Sequence, residues 1–264
     1  MLAVFLIVVS MPTIAQEEEP ESQWDATLGT RFLSQYVSYG IELSDRNSAL
    51  QPSFSLAHAS GFGLELDGIY VLGGGGRFQQ WSIALEYERT FSDWLTLGAE
   101  VSHFEYQSDT VSILSSLSNS LSFSLDADFD IVSVGLSYDT FFGANDGTNG
   151  ARYFGMNVST VKNLGDLTFV PLIQATWMSQ EVLATLAKNK GQSGKALPKA
   201  GTAATTVSVT GLSSVSFHLI AVYSLSQKLS LTFNPYFLYA PKSELSTHKT
   251  QFLATFALSY AFGW

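Results

Sequence analysis

Apolar and polar side chains alternate at every second position through most of the chain after residue 23. The segment 81–88, which reads WSIALEYE, shows the pattern clearly. Alternation with a period of two indicates a β-strand with one apolar and one polar face. We count twelve such segments, at 26–40, 50–59, 62–71, 79–91, 94–106, 111–125, 128–142, 151–162, 166–179, 209–225, 228–240 and 250–263. The pattern therefore predicts an all-β chain.

The joins between these segments alternate in length. Short turns are predicted at Ser60-Gly61, Ser92-Asp93, Ala127-Asp128, Asn163–Gly165 and Ser226-Gln227. Most of the joins between them are longer: Leu43–Ala49, Leu72–Phe78, Gly143–Gly150, Gln180–Thr206 and Pro241–Lys249. Short periplasmic turns and longer extracellular loops are typical of outer-membrane barrels. We therefore predict a transmembrane antiparallel β-barrel of twelve strands, with ten as the alternative because Ser112–Ser120 fits a strand or a loop.

The composition favours a barrel in lipid over a soluble β-sandwich. Only 14% of the residues are charged, and the chain holds 19 Phe, 11 Tyr and 5 Trp. A membrane barrel presents such apolar and aromatic residues to lipid on every strand. The net charge of −10 argues against nucleic acid as a partner. The absence of cysteine excludes disulfides, thiolate metal sites and cysteine nucleophiles.

The N-terminus has the features of a targeting segment. Leu2–Val9 is an apolar run too short to span a bilayer, and Thr13-Ile14-Ala15 places small residues before a cleavage site. We therefore predict a cleaved signal peptide at 1–15, a short periplasmic segment at 16–25 and an outer-membrane barrel at 26–264.

The last predicted strand carries an apolar or aromatic residue at every second position up to the chain end. These residues are Leu258, Tyr260, Phe262 and Trp264. They resemble the C-terminal assembly signal of outer-membrane barrels, which ends in an aromatic residue. The resemblance implies the barrel-assembly machinery as a partner and outer-membrane lipid around the folded barrel.

The opening of the barrel region resembles a known family. Residues 34–44 read SQYVSYGIELS, and residues 50–61 form a small-polar segment that ends in Ser60-Gly61. Both features are similar to the Gcw_chp or TorF family of porin-like proteins, whose first strand has the form S-x-Y-V-x-R-G-I-x-x-S. Tyr39 stands where that family usually has arginine. The resemblance implies an outer-membrane barrel and supplies no catalytic residues.

The polar face of the predicted strands combines small residues with a group of acids. Inward positions such as Ser53, Ser82, Gly98 and Ser133 leave room for water or a solute. A predicted acidic band on the third to fifth strands consists of Glu65, Asp67, Glu86, Glu88 and Glu100. Acidic rings in pores favour cations. We therefore predict a channel for the passive passage of small solutes, with a preference for cations.

Two alternatives stay open at the level of sequence. One is a loop-plugged barrel with a surface-binding or structural role, in which the lysine-rich loop Gln180–Thr206 closes the lumen. The other is a lipid-active hydrolase, because Ser216 and His218 share the inward face. We predict no enzymatic activity and no cofactor. We also predict no metal site, since Asn145–Gly150 lacks the spacing and the closing Glu of a calcium loop. The sequence does not indicate the transported solute or the oligomeric state.

Overall fold

The computed structural model of the protein describes residues 23–38, 41–42, 44, 46–73, 76–106, 118–143, 150–183, 206–241 and 250–263. The strands are β1 (Trp24–Leu33), β2 (Val37–Ser38), β3 (Ile41–Glu42), β4 (Ala49–His58), β5 (Phe62–Val71), β6 (Arg77–Ser92), β7 (Leu95–Tyr106), β8 (Asn119–Phe129), β9 (Val132–Phe142), β10 (Ala151–Ser159), β11 (Lys162–Leu164), β12 (Leu167–Leu183), β13 (Thr206–Ser224), β14 (Leu229–Tyr239) and β15 (Thr250–Gly263). The predicted signal peptide and Trp264 lie outside the described residues. In the part of the chain that the structure describes, no helix is long and apolar enough to cross a membrane.

The strands form a closed antiparallel barrel. β1 pairs with both β4 and β15, and β10 pairs with both β9 and β12, so the sheet returns on itself. The short strand β11 follows β10 and also pairs with β12. When β10 and β11 are counted as one strand, the barrel has twelve strands. The predicted twelve-stranded barrel is confirmed, and the ten-stranded alternative is wrong. Twelve strands at a spacing of about 4.8 Å and a tilt of about 40° give a backbone radius of about 12 Å.

The outer surface carries the large apolar side chains. Leu28, Leu85 and Ile173 are more than half exposed near the middle of their strands. One end of the barrel has a girdle of exposed aromatic residues: Trp24, Phe62, Phe91, Trp94, Phe129, Tyr223 and Tyr260. The other end has a second girdle: Tyr70, Phe78, Phe142, Phe154, Trp177, Tyr239 and Phe252. Two aromatic girdles around an apolar band are the signature of a barrel in a bilayer.

Join length distinguishes the two ends. The short turns lie at the end that also holds the first residues of β1 and the last residues of β15, and the longer joins lie at the opposite end. In outer-membrane barrels the short turns face the periplasm and the longer loops face the cell exterior, and the two ends of this barrel are named accordingly. In the Ser60-Gly61 turn, Gly61 has φ +95 and its carbonyl accepts a hydrogen bond from Glu88 N at 2.8 Å.

The first strand is shorter than predicted. β1 ends at Leu33 and not at residue 40, because the chain leaves the sheet at Ser34. Ser34 N donates to Ala254 O and Ser34 Oγ accepts from Ala254 N, each at 3.0 Å, which completes the ladder to β15. Beyond this point Tyr36 N donates to Ser44 Oγ at 3.0 Å. The segment that resembles the family motif therefore folds as the first outer loop, within which β2 and β3 form a small hairpin.

The predicted turn at Ala127-Asp128 is also wrong. Both residues continue β8, where Ala127 pairs with Leu95 on one side and Val134 on the other. The turn follows at Asp130, which adopts a left-handed φ of 51°. The alternation of Leu125, Ala127 and Phe129 on the outer face runs through the predicted turn, which explains why the ladder continues. Residues 107–117, which include most of the uncertain segment Ser112–Ser120, lie outside the described residues.

Candidate functional site

Carboxylates of the third to fifth barrel strands face the lumen at neighbouring positions. The register pairs Glu86 with Glu100 across β6 and β7, and Glu65 with Ala84 across β5 and β6. Asp67 lies two residues from Glu65 on the same face of β5, and the two carboxyl groups are within hydrogen-bonding reach. Glu88 pairs with Gly98 and is exposed nearer the periplasmic end.

This side of the lumen holds further acids in addition to those of the acidic band. Asp126, Asp128 and Asp139 point inward from β8 and β9, and Asp139 interacts electrostatically with Glu100. Glu100 also accepts a hydrogen bond from Ser102 Oγ. In the described strands, the cations on the inward face are Arg31 and Arg77. One wall of the lumen is therefore strongly acidic.

The opposite wall is mostly neutral and carries an ordered hydrogen-bond network. His218 Nε2 lies 2.8 Å from Ser216 Oγ, and His218 Nδ1 lies 3.3 Å from the Asn234 side-chain amide. The His218 ring stacks on Tyr236 with the ring centroids 4.6 Å apart. Tyr236 in turn interacts with Arg31, which faces Asp67 and Glu65 from the other side. These contacts join the neutral and acidic walls into one polar belt around the lumen.

The order serine, histidine, amide is one that hydrolases use for nucleophilic catalysis. Here, however, Ser216 is only 7% exposed and faces the lumen, whereas lipid contacts the opposite face of β13. The network therefore does not support the lipid hydrolase alternative. In the described residues, no group of three or more His, Asp and Glu side chains could hold a metal ion.

The outer half of the lumen differs from the polar belt because large apolar side chains line it. This mouth cluster consists of Leu33, Tyr36, Ala49, Ile69, Val71, Phe104, Phe141, Ala151, Tyr153 and Met178. All of them except Tyr36 lie on the inward faces of barrel strands. Tyr36 belongs to the first outer loop, yet it is only 2% exposed, and its hydroxyl donates to Gln80 Oε1 on β6 at 3.3 Å. The loop therefore reaches across the lumen.

The next residue of that loop contacts the other side of the barrel. Val37 is buried against Tyr236 and Leu238 of β14 and Leu253 of β15. Within the loop, Ser44 Oγ donates to Asn47 O at 2.7 Å, and Asn47 Nδ2 donates to Ser44 O at 2.9 Å. The first outer loop is thus a compact element that holds Tyr36 and Val37 against opposite walls. It narrows the outer mouth above the polar belt.

Sequence reasoning missed the mouth cluster, although one signal was present. At the end of β7, in His103-Phe104-Glu105-Tyr106, the assignment of apolar and polar residues to the two faces is reversed. The polar residues take the outward positions and the aromatic residues take the inward ones. His103 accordingly lies on the outer surface against Trp81. The same reversal places Phe141 and Tyr153 inward, where their rings meet edge to face at 5.6 Å. The prediction of a lumen lined mostly by small residues holds for the part between the polar belt and the periplasmic end, and it is wrong for the outer mouth.

The fold is similar to that of solved outer-membrane porins. A structure of the KdgM porin aligns with a TM-score of 0.54 at 12% identity, over 89% of this chain and 99% of that chain. A KdgM porin in complex with disordered oligogalacturonate aligns with a TM-score of 0.52 at 12% identity, with the same coverage of 89% and 99%. The COG4313 outer membrane channel from Pseudomonas putida F1 aligns with a TM-score of 0.49 at 13% identity, over 93% and 97%. No protein-family model and no curated protein matches the sequence.

The girdled apolar surface and the likeness to the KdgM porin structures define the fold of the chain. It is a transmembrane β-barrel with the fold of bacterial outer-membrane porins. The Gcw_chp/TorF resemblance, carried by the first outer loop and the start of β4, is not matched by a family model.

Proposed function

We propose that the chain is a channel for the passive passage of small solutes, and that its lumen prefers cations. The observation that carries this proposal is the acidic wall, in which Glu86 pairs with Glu100 and Glu65 lies beside Asp67. A lumen with a low-dielectric protein wall focuses the field of such charges. Cations are therefore concentrated in the polar belt and anions are depleted there.

The acidic wall also bears on the kind of solute. Oligogalacturonate, the partner in one KdgM porin structure, is a polymer of sugar acids and carries many negative charges. Such a polymer would meet repulsion from Glu65, Glu86 and Glu100 in this lumen. We therefore propose that this chain takes cationic or dipolar solutes in place of acidic oligosaccharides.

The test is ion selectivity in a planar bilayer. The wild-type protein is expected to give a reversal potential that indicates a cation preference in a KCl gradient. The triple variant Glu65→Gln, Glu86→Gln, Glu100→Gln is expected to bring the permeability ratio of cation to anion close to unity, because glutamine keeps the shape and removes the charge. The control is Glu105→Gln, on β7 like Glu100 but on the outer face, which should leave the ratio unchanged. Unaltered selectivity in the triple variant would remove the acidic band from the mechanism.

A second candidate function is that of a barrel closed at its mouth, with a surface-binding or structural role. The observation that favours it is the burial of Tyr36 and Val37 across the lumen. The plug suggested by sequence was a different loop, Gln180–Thr206, of which residues 184–205 lie outside the described residues. In our proposal the first outer loop is the closing element, and its effect on conductance decides between the two functions.

Membership of the Gcw_chp/TorF family is a further proposal, which rests on residues 34–44 and on Ser60-Gly61. We also propose that the chain end directs assembly. Leu258 and Tyr260 are exposed on the outer face of β15, and the Tyr260 and Phe262 ring centroids lie 6.1 Å apart. A machinery that engages the last strand would thus find an aromatic stripe on its lipid face.

Replacing Trp264 by Asp is expected to lower the amount of protein in the outer membrane several-fold, because the C-terminal aromatic residue of the proposed assembly signal is lost. The stability of protein that does assemble should change little. Immunoblots of membrane fractions measure the first quantity, and the temperature at which the folded gel band is lost measures the second. Unchanged outer-membrane levels would contradict the assembly role.

A further inference from the structure

Arg31 is a cation in the polar belt. Its side chain points inward from β1 and is partly buried. It is attracted by Asp67 and Glu65, yet its guanidinium makes no hydrogen bond or ion pair with any residue in the described part of the chain. A partly buried cation without a partner is costly unless water or a solute satisfies its donors. In the described residues no protein acceptor takes up these donors, so a solute that reaches Arg31 can accept from them.

A buried acceptor lies directly beside this cation. Gln51 on β4 is the register partner of Arg31 and is only 8% exposed. Its Nε2 donates to Asp67 Oδ1 at 3.3 Å, whereas its Oε1 is buried with no hydrogen-bond partner in the described residues. Asp67 thus orients the amide, and in the described residues one acceptor of the residue paired with Arg31 stays unsatisfied.

We propose that these residues form a binding site for α-amino acids, with a preference for basic ones. This proposal rests on the channel function proposed above and names its solute class. Arg31 would bind the α-carboxylate through its planar fork of donors, which matches a carboxylate in geometry. The carboxylates of Asp67 and Glu65 would accept from the α-ammonium group, and the Gln51 amide would add a further acceptor once its buried Oε1 turns toward the lumen. An α-amino acid carries its two charged groups on one carbon, and Arg31 and Gln51 are register partners on adjacent strands, so one solute could contact both.

The surrounding charge selects among amino acids. Glu86 and Glu100 lie along the same wall and interact with Glu65. A second cationic group on the side chain of the solute would meet these carboxylates, so lysine should bind better than alanine. Acidic sugars and acidic amino acids should bind worst, because only Arg31 would attract them.

The experiment uses the full mature chain in planar bilayers and measures how added solutes reduce the open-channel current. L-lysine and pentylamine are compared at constant ionic strength, since both have a net charge of about +1 at neutral pH and only lysine has an α-carboxylate. Wild-type protein should bind lysine more tightly than pentylamine. Arg31→Gln should lower the ratio of the two affinities about tenfold, the loss expected for one charge-assisted contact. Arg31→Lys keeps the charge of the lumen and should retain only part of the preference, because ammonium lacks the fork.

The outcomes separate the two proposals. If wild-type protein prefers cations in KCl but binds lysine and pentylamine equally, the amino acid site is wrong and the channel proposal stands. If wild-type protein shows no cation preference in KCl, the cation preference proposed for the channel is wrong, and the comparison of lysine with pentylamine still decides on the amino acid site. Tighter binding of galacturonate than of lysine would also overturn the amino acid site, and so would an unchanged affinity ratio in Arg31→Gln. The wild-type comparison needs no variant, so a variant that fails to fold does not prevent the decision.

Discussion

Replacing both Tyr36 and Val37 by serine is expected to raise the single-channel conductance several-fold. These two side chains reach opposite walls of the outer mouth, where they are 2% and 5% exposed. Serine removes the apolar contacts and weakens the attachment of the first outer loop to the barrel. Water can then enter the space that the two side chains fill, and ions follow the water.

The matched control is Tyr239→Ser. Tyr239 lies at the outer end of β14 but is 47% exposed on the lipid face, so its loss should leave conductance unchanged. A second test uses the absence of cysteine from the chain. A disulfide between Val37→Cys and Leu253→Cys should hold the loop inward and keep conductance low until a reductant is added. Equal conductance in wild type and the double serine variant would show that the first outer loop does not limit the channel.

Replacing Leu136 by Arg is expected to destabilise the barrel by about 2–4 kcal/mol, the cost of a cation on the lipid face near the bilayer midplane. Leu136 lies near the middle of β9 and points outward between Leu125 and Met156. Its cross-strand neighbours in the described strands, Leu125 and Met156, are apolar and cannot pair with the new charge. Urea unfolding of protein refolded in lipid vesicles measures the loss.

The control is the same substitution on the inward face. Ser122 lies on β8 opposite Glu100, so Ser122→Arg places the guanidinium in the lumen beside a carboxylate. This variant should be less destabilised than Leu136→Arg, because water and Glu100 both stabilise the charge. Equal losses for the two variants would mean that the assignment of the two barrel faces is wrong.

Several parts of the candidate site follow from the alternation alone. Glu65, Glu86 and Glu100 share one parity with serine, glycine and alanine, so their inward direction could be predicted from each strand separately. Their mutual positions needed the register, which pairs Glu86 with Glu100 through a turn whose length the sequence only bounds. Arg31 and Gln51 could not be linked from sequence. They lie 20 positions apart and meet only because β1 pairs with β4 after the first outer loop has turned inward.

The sequence by itself determined the all-β class and the facing of most residues and favoured twelve barrel strands over ten, because a membrane barrel must satisfy every backbone group in the sheet and show one apolar face to lipid. Those requirements act residue by residue and therefore leave a periodic trace. The state of the outer mouth was decided only by the tertiary structure. Tyr36 and Val37 lie in a segment that alternates like a strand, but their apolar side chains gain burial by entering the lumen, where inward residues of β5, β7, β9 and β14 complete the cluster. Burial of this kind depends on side chains from distant strands converging on one axis, and convergence of that kind leaves no local pattern in the chain.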